Sequence, residues 1–386
     1  MLRAYKVEIK PTVEQKIKMA QTFGVCRYGY NFYIRHNQER HKNGEKRMTG
    51  YDFSKWLNNE FFPNNPSYGW AKDVGSKAVK NSIMNAEKTY KKFLKGETNK
   101  LKFKSKSSRK SFYFPCNSEK DLAIERHRGR IPTLGFIRFK EFGYVPEGYE
   151  AKSVTVTLKA GHYYASYLFE VEPEKRQGVI TEPIGIDLGI KDLAIVSDGK
   201  VFKNINKTAR VKKLEKKLKR KQRVFSRKLE KNKKGKNIIY TANMRKDKLN
   251  IGKLYQRLSN IRTEYIRHTV NSLVKANSLP AYVSIEDLNI DGMRRNKHLS
   301  DAISKQKLGY FRAYLTQRCC KYEDAELRAI NRFYPSSKMC NKCGCIKSTL
   351  KLSERTYICP ECGNIDDRDN NASKNIRDCS TYEIAS

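Results

Sequence analysis

Residues 340–375 read CNKCGCIKSTLKLSERTYICPECGNIDDRDNNASKN, and this stretch contains two motifs that together decide the fold. The first motif has the spacing C-x2-C-x15-C-x2-C, which is typical of a zinc ribbon. The second motif places three aspartates at the start of a predicted helix, shortly after the last cysteine pair. The stretch therefore predicts a metal-binding module that leads directly into an acidic helix.

The predicted zinc ligands are the four cysteines of the first motif, Cys340, Cys343, Cys359 and Cys362. Each C-x-x-C turn can bring two thiolates to one side of a tight loop, and the glycine after each pair, Gly344 or Gly363, can adopt positive φ there. Cys345 is a rival for Cys343, but only Cys343 reproduces the two-residue spacing. Because four thiolates close the coordination shell, we expect a structural Zn²⁺ and not a catalytic one.

Two more acids stand at the ends of predicted hydrophobic strands. Asp187 follows the apolar residues 184–186, and Glu286 follows the apolar run 281–285. The alternation of the second strand does not decide between Glu286 and its neighbour Asp287. In the acidic helix, three residues compete for one further position: Asp366, Asp367 and Asp369.

A carboxylate beside buried strand residues is costly to ionise unless a cation compensates its charge. Mg²⁺ prefers oxygen ligands, and two such ions can hold an attacking water and a leaving oxygen in line across a phosphodiester. Any one of these acids alone is better explained as a salt-bridged strand end. The set of three, on two strand ends and a helix, predicts a two-metal nuclease site.

The composition of the chain supports a nucleic-acid partner. Its 386 residues include 80 Lys and Arg against 40 Asp and Glu, a net charge of +40. Such self-repulsion destabilises a compact state unless a polyanion relieves it. Ten cysteines, four of them in paired motifs, suit a reducing compartment. The sequence contains no apolar run of membrane-spanning length and no secretory leader, so we expect a cytoplasmic protein with no membrane partner.

The pattern of hydrophobic residues predicts an α+β chain of several domains. Residues 1–12 and 111–180 form short alternating strands that we expect to build a β-barrel, and residues 13–110 form a helical insertion that begins at a Thr12 N-cap. Residues 181–335 and 366–386 form an α/β domain, and residues 336–365 form the zinc ribbon inserted into it. Within this scheme, residues 172–182 are a linker, 207–276 are two antiparallel basic helices, and 306–321 are one helix.

Four strings resemble the RuvC-like core of the TnpB (OrfB) family of transposon-encoded proteins, which are related to type V CRISPR effectors. These strings are GIDLG (185–189), IEDL (285–288), CPECG (359–363) and DRDNNA (367–372). Three looser matches occur nearer the N-terminus: PTVEQ (11–15), RYGYN (27–31) and IPTLG (131–135). The resemblance covers nearly the whole chain and is most specific over residues 184–189 and 336–376.

The resemblance implies an N-terminal barrel with a helical recognition insertion, followed by an RNase H-like (RuvC) nuclease domain with a zinc-ribbon insertion. It implies an RNA-guided DNA endonuclease that uses a guide RNA and cuts target DNA beside a short transposon-adjacent motif. The family's catalytic acids, which hold Mg²⁺, correspond to Asp187, Glu286 and Asp369. The third follows from the D-x-N-A pattern, in which Asn371 and Ala372 fix the register. We expect a prokaryotic monomer that associates with the nucleoid when bound to DNA.

Three other functions remain open from the sequence. A DDE-type transposase shares the RNase H fold and an acid triad. A miniature type V CRISPR effector has the same core. A guide-directed DNA-binding repressor needs no cutting, although the three acids argue against that reading. Within the basic segments 91–111 and 207–253, lysines are expected to follow phosphates, whereas the aromatic run around Tyr28, Tyr30, Phe32 and Tyr33 is more typical of a core.

Overall fold

Separate hydrophobic cores organise the two units of the chain, Met1–Val171 and Glu172–Ser386. The structure is a computed structural model that describes residues 1–116, 118–175, 178–235, 237–351 and 354–385. In these described ranges, no helix combines the length and hydropathy needed to cross a bilayer. Each unit is described separately below.

The first unit combines a long helical segment with an antiparallel sheet. Its main elements are β1 (Leu2–Lys10), α1 (Val13–Lys42), α2 (Gly50–Trp56), α3 (Phe62–Asn64), α4 (Ser76–Leu94), β2 (Lys110–Pro115), β3 (Ile124–Glu125), β4 (Arg128–Ile131), β5 (Gly135–Phe139), β6 (Ala151–Lys159) and β7 (His162–Glu170). A π-helical turn at Leu57–Phe61 and 3₁₀ turns at Pro66–Ala71 and Glu119–Leu122 connect them.

The sheet of the first unit has the strand order β2-β6-β7-β1-β5-β4-β3. Strand β1 lies in its middle and pairs with β7 from Leu2 to Ile9, then with β5 at Ile9 and Lys10. The strands predicted from alternation are therefore confirmed, including the N-terminal strand as part of this sheet. Among the described residues the edge strands β2 and β3 do not pair, so a seven-stranded sheet without a closing ladder is observed in place of the expected barrel.

The predicted start of the helical insertion is confirmed. The Thr12 hydroxyl accepts from the Gln15 backbone N–H at 3.2 Å, and the Gln15 side chain accepts from the Thr12 N–H at 3.0 Å. This reciprocal pair satisfies two N–H groups at the helix terminus. The aromatic residues downstream form a core, since Tyr30, Phe32 and Tyr33 are all buried.

The second unit has a mixed sheet, helices and a small two-stranded module. Its elements are β8 (Val179–Thr181), β9 (Ile184–Leu188), β10 (Asp192–Val196), β11 (Val201–Lys203), α5 (Ala209–Lys231), β12 (Lys233–Lys234), β13 (Asn237–Ile238), α6 (Ala242–Leu273), β14 (Ser278–Pro280), β15 (Tyr282–Glu286), α7 (Ile290–Arg295), α8 (Ser300–Gln306), α9 (Leu308–Cys319), β16 (Glu326–Ile330), β17 (Thr356–Ile358), β18 (Ile365–Asp367), α10 (Arg368–Asp378) and β19 (Tyr382–Ile384). A 3₁₀ turn at Ile205–Lys207 precedes α5.

The main sheet of the second unit has the order β11-β10-β9-β15-β16-β19. Strands β9, β15 and β16 are parallel, while β10 and β11 extend the sheet as an antiparallel meander on one side and β19 closes it on the other. Strands β9 and β15 carry the apolar residues from which they were predicted. Helix α10 packs against β9, β10 and β15, so it lies on one face of this sheet.

The two predicted basic helices are α5 and α6. Gln222 donates to the Tyr255 hydroxyl, and Arg262 donates to Glu215 at 2.6 Å, so residues early in one helix meet residues late in the other. This pairing confirms the antiparallel arrangement. Their shared apolar stripe is narrow and includes the buried residues Val211, Leu218 and Leu258.

Two predictions about connecting segments were wrong. The segment expected to be a linker, residues 172–182, contains β8, which pairs in parallel with β14. The helix expected over residues 306–321 begins only at Leu308, because Lys307 adopts a left-handed conformation with φ 56° and separates α8 from α9. The Lys307 ammonium donates to the Ser259 carbonyl and hydroxyl and to the Thr263 hydroxyl, and these hydrogen bonds offset the cost of the left-handed backbone conformation.

Candidate metal and zinc sites

The first two predicted acids lie side by side at one edge of the main sheet. In the parallel pair β9–β15, Ile186 is the register partner of Ile285. The next residues along the two strands are Asp187 and Glu286, and parallel strands present equivalent ends at the same edge of a sheet. The sequence places both carboxylates correctly because each follows a continuous apolar strand.

The third acid reaches this edge through α10. An ideal Cβ on Gly185 would lie 2.1 Å from the Ser373 carbonyl oxygen, so only glycine allows α10 to approach β9 this closely. Asp367 caps the helix by accepting from the backbone N–H groups of Asp369 and Asn370, at 3.0 and 3.1 Å. Asp369 therefore lies in the first turn of α10.

The carboxyls of Glu286 and Asp369 act on that of Asp187. Burial first, then the neighbouring carboxylates Glu286 and Asp369, together raise the pKa of Asp187 to about 8. The Arg368 guanidinium acts in the opposite direction but does not cancel the shift. Burial also raises the pKa of Glu286, against the lowering effect of a hydrogen bond from Ser336. Such a cluster is stabilised by a bound divalent cation.

The rival acids have other roles in the structure. Asp287 accepts from the guanidinium groups of Arg312 and Arg332, and the hydrogen bond from Arg312 is the largest contribution that lowers its pKa. Asp366 accepts from Lys374 at 2.8 Å and from Asn370 at 2.8 Å. Both are neutralised by protein groups, whereas Asp367 serves as the helix cap.

Ser336 connects Glu286 to α10, the helix that carries Asp369. The sequence analysis did not identify this residue. Its hydroxyl donates to Glu286 Oε1 at 2.6 Å, and its carbonyl accepts from the Asn375 side chain of α10 at 2.7 Å. Ser336 itself is buried. The signal available in the sequence was only its position just before the first cysteine pair, which does not indicate contact with a residue 50 positions away.

The four predicted zinc ligands form one cluster. The Sγ atoms of Cys340 and Cys362 are 3.7 Å apart, and those of Cys343 and Cys359 are 3.5 Å apart. Tetrahedral coordination with Zn–S bonds of about 2.3 Å requires sulfur–sulfur distances of about 3.8 Å. Within the described ranges, these four cysteines are the one group of three or more His, Cys, Asp or Glu side chains whose ligand atoms all lie within 4.8 Å of one another. The arrangement suits a structural Zn²⁺.

The two cysteine turns of the ribbon share one backbone feature, a glycine with positive φ directly after the second cysteine. Gly344 and Gly363 have φ of 76° and 66°, as their positions after the pairs predicted. Hydrogen bonds from the backbone of Cys362, followed by Glu361, lower the pKa of the Cys359 thiol to about 6 against the effect of burial. Cys345, the rival ligand, instead accepts through its carbonyl from the Cys340 N–H at 2.8 Å.

Two buried asparagines attach the ribbon to α10. Asn371 donates to the Met339 carbonyl at 2.7 Å and accepts from the Asn341 N–H at 3.0 Å. Asn375 donates to the same Met339 carbonyl at 2.6 Å. The zinc module and the helix that carries Asp369 are therefore one hydrogen-bonded assembly.

These features define a class: a mixed α+β protein with a RuvC-like region and a C-terminal Cys₄ zinc-finger-like module. Three family models match the chain: OrfB_IS605, described as "Probable transposase", over residues 166–297; "Helix-turn-helix domain" of the same group over residues 1–46; and "Cas12f1-like, TNB domain" over residues 309–376. Over residues 1–46 and 166–297 the chain is thus similar to the OrfB_IS605 (TnpB) group of proteins. Over residues 1–46 the structure has a strand and a single long helix, not two helices joined by a turn.

Curated relatives span nearly the full chain. A protein of Escherichia coli (strain K12) named "Putative RNA-guided DNA endonuclease InsQ" is 28% identical over 97% of this chain and 91% of its own length. A protein of Streptomyces pristinaespiralis named "Putative RNA-guided DNA endonuclease" is 29% identical over 97% of this chain and 88% of its own length.

A solved structure shares the fold. The protein chain in "Cryo-EM structure of the Cas12f1-sgRNA-target DNA complex" matches 99% of this chain and 99% of its own length, with a TM-score of 0.53 and 11% identity. This similarity concerns the arrangement of elements alone.

Proposed function

We propose that this protein is an RNA-guided DNA endonuclease that hydrolyses phosphodiesters of target DNA beside a short transposon-adjacent motif. The observation that carries the proposal is the convergence of Asp187, Glu286 and Asp369 at one sheet edge, where burial and the neighbouring carboxylates raise the pKa of Asp187 to about 8. The names of the curated relatives support the guide RNA and the DNA target.

The donor set fits Mg²⁺, because three carboxylates provide hard oxygen ligands and mutual repulsion that a divalent cation relieves. Asp187, Glu286 and Asp369 would hold the metal ions, which when bound activate water and neutralise charge on the phosphate. Ser336 orients the Glu286 carboxylate through its 2.6 Å hydrogen bond. Arg312 and Arg332 neutralise Asp287 and so keep a fourth negative charge from competing for the cations.

The basic helices supply the surface for the nucleic acids in this proposal. Most lysines and arginines of α5 are exposed, and its buried residues are confined to Val211 and Leu218. Guide pairing would select the target sequence, while the protein contacts phosphates and the shape of the heteroduplex.

The first test is to purify the protein from cells that carry its native locus and to sequence any RNA that copurifies. A single abundant RNA ending in transposon-flanking sequence supports the proposal and supplies the guide for a cleavage assay. Absence of an enriched RNA, or strand-transfer products that need no RNA, would favour a transposase.

The second test uses that guide and a matching DNA. Asp187→Ala should abolish cleavage while leaving RNA binding intact, and Asp198→Ala, in the turn after β10, should cut like the wild type. Retained cutting by Asp187→Ala contradicts the assignment of the site. Guided binding without cutting by the wild type would indicate a repressor.

A further inference from the structure

A cavity of about 260 Å³ lies in the first unit, separate from the acid cluster. It is bounded by α1, by the segment that leads into β2, and by residues of β6 and β7. Its lining includes the apolar side chains of Phe23 and Leu158. Its walls carry the following cationic side chains: Arg27, Lys104, Lys106, Arg109 and Lys110. We refer to it below as the basic cavity.

The charge of the basic cavity is not balanced by the described residues. No carboxylate lines it, and none of its five cationic side chains makes an ion pair within the described ranges. The hydroxyls of Ser105, Ser108 and Ser111 line it as well. Cations and hydroxyls together are the donor set that proteins use for phosphate oxygens.

The wall of the basic cavity is held in place. Asn31 on α1 donates to the Lys104 carbonyl at 2.9 Å and accepts from the Lys104 N–H at 2.8 Å. The Lys104 ammonium lies 3.9 Å from the centroid of the Tyr30 ring. Burial lowers the pKa of Lys104. An arriving anion would therefore meet a partly buried cation on an anchored segment of backbone, where electrostatic attraction is stronger than in bulk water.

Gly24 is the second independent feature. It lies in the interior of α1 and lines the basic cavity, although an ideal Cβ there would meet no heavy atom within 4 Å. Glycine in a helix interior is destabilising relative to alanine. Packing does not require this glycine, but a side chain at this position would occupy the space inside the cavity.

We propose that the basic cavity is a phosphate-binding site that takes a backbone phosphodiester of a nucleic-acid strand. Its volume is below the roughly 300 Å³ at which pockets for drug-sized ligands begin, so a phosphate fits better than a whole cofactor. RNA and DNA share this chemistry. The site goes beyond the proposed nuclease activity, because all its lining residues belong to the first unit and its function does not require cutting.

The test compares three variants of the full-length protein that differ at two positions of α1. Gly24→Glu places a carboxylate at the cavity, Gly24→Gln places a neutral side chain of the same size there, and Gln21→Glu makes the same charge change at an exposed position that does not line the cavity. Substitution of the helical glycine favours the helix, so the variants should fold, and circular dichroism checks this.

Binding of fluorescein-labelled single-stranded RNA, and of DNA of the same sequence, is then measured over a series of salt concentrations. Gly24→Glu should weaken binding by about tenfold and lower the slope of log K against log salt by about 1, the loss of one phosphate contact. Gly24→Gln should weaken binding less than Gly24→Glu, and Gln21→Glu should change it by less than about twofold.

If Gly24→Glu loses affinity for RNA alone, or for DNA alone, the result supports the site and identifies the nucleic acid that it binds. An equal loss of affinity for both supports a site that accepts a phosphate of RNA or of DNA. Equal affinities of Gly24→Glu and Gln21→Glu for both strands overturn the proposal. Lys106→Gln provides a second variant, which should also lower the salt slope by about 1. None of these measurements involves cleavage. If the protein binds nucleic acid through the basic cavity but never cuts, the proposed nuclease activity is refuted and the phosphate site is not.

Discussion

Gly185 of β9 lies directly against Ser373 of α10, since an added Cβ on the glycine would lie 2.1 Å from the serine carbonyl oxygen. The same Cβ would lie 2.4 Å from the Arg377 backbone nitrogen. Both obstacles are backbone atoms, which cannot rotate away as the end of a side chain could. The position of α10, and with it Asp369, depends on the absence of one methyl group.

Gly185→Ala should therefore displace α10 from the sheet. We expect a loss of about 1–3 kcal/mol in the free energy of unfolding, the usual cost of overpacking, and a larger proportional loss of cleavage than of RNA binding. Chemical denaturation and single-turnover cleavage measure the two effects. Gly309→Ala is the matched control, because its Cβ would meet Ile290 at an ordinary 3.6 Å, and it should behave like the wild type.

Ser336→Ala removes the hydroxyl that donates to Glu286. Burial then raises the pKa of Glu286 without this opposing effect, so protonation competes more strongly with cation binding at neutral pH. We expect cleavage to fall about 10–100-fold, to require more Mg²⁺, and to recover partly as the pH is raised. Ser337→Ala tests the neighbouring hydroxyl and should leave the Mg²⁺ dependence unchanged. A Ser336→Ala enzyme with wild-type Mg²⁺ dependence would show that the hydrogen bond is unimportant.

Cys359→Ser should abolish stoichiometric zinc binding, because the ligand set loses one thiolate. Through the hydrogen bonds of Asn371 and Asn375, the loss should reach α10 as faster amide hydrogen exchange. Metal analysis and hydrogen-exchange mass spectrometry check the two expectations. Cys320→Ser lies outside the cluster and should keep both zinc and protection. Unchanged exchange in α10 of the zinc-free variant would contradict the coupling.

Glu8 gives a prediction for the pH dependence of stability. Burial raises the pKa of its carboxyl, but hydrogen bonds from His162, Lys140 and Lys10 outweigh this and lower the pKa to about 2. The unfolded chain has a pKa of 4.5 at this residue, so the stabilisation is complete above that pH and is lost as pH falls from 4.5 towards 2.

Glu8→Gln should therefore unfold more easily at pH 7, by on the order of 2 kcal/mol. The difference from the wild type should shrink as the pH is lowered through 4.5 towards 2. Calorimetric unfolding of the full chain at a series of pH values measures it. Glu14→Gln, an exposed acid on α1, should show no comparable difference. A difference that stays constant with pH would mean that the ion pairs contribute nothing.

The sequence predicted the elements near the acids well, and the reasons are local. Asp187 follows the apolar residues 184–186 within β9, Glu286 is the last residue of β15, and the cysteine spacing alone defines the zinc cluster. The choice of Asp369 within the acidic helix came from family resemblance and stays a prediction: Asp366 and Asp367 have other partners, and Asp369 itself lies 3.5 Å from the Arg355 guanidinium.

Other features depend on contacts between residues far apart in the chain, which local patterns do not contain. The contact of Ser336 with Glu286 spans 50 positions, and Asn375 meets the ribbon across 36. The short strand β8 was missed because Val179 and Ile180 are exposed, so no buried face marks it. The break at Lys307 was missed because a left-handed lysine is stabilised by Ser259 and Thr263, which lie on another helix.

The hydrogen bonds of Asn371 and Asn375 give zinc an influence on a reaction in which it takes no part. A chain made under zinc starvation would retain Asp187 and Glu286 on their strands, since these depend on the main sheet alone. It would lack the support that fixes the helix of Asp369. In the proposed nuclease, zinc supply would then set the fraction of molecules that hold all three acids in place for cutting DNA.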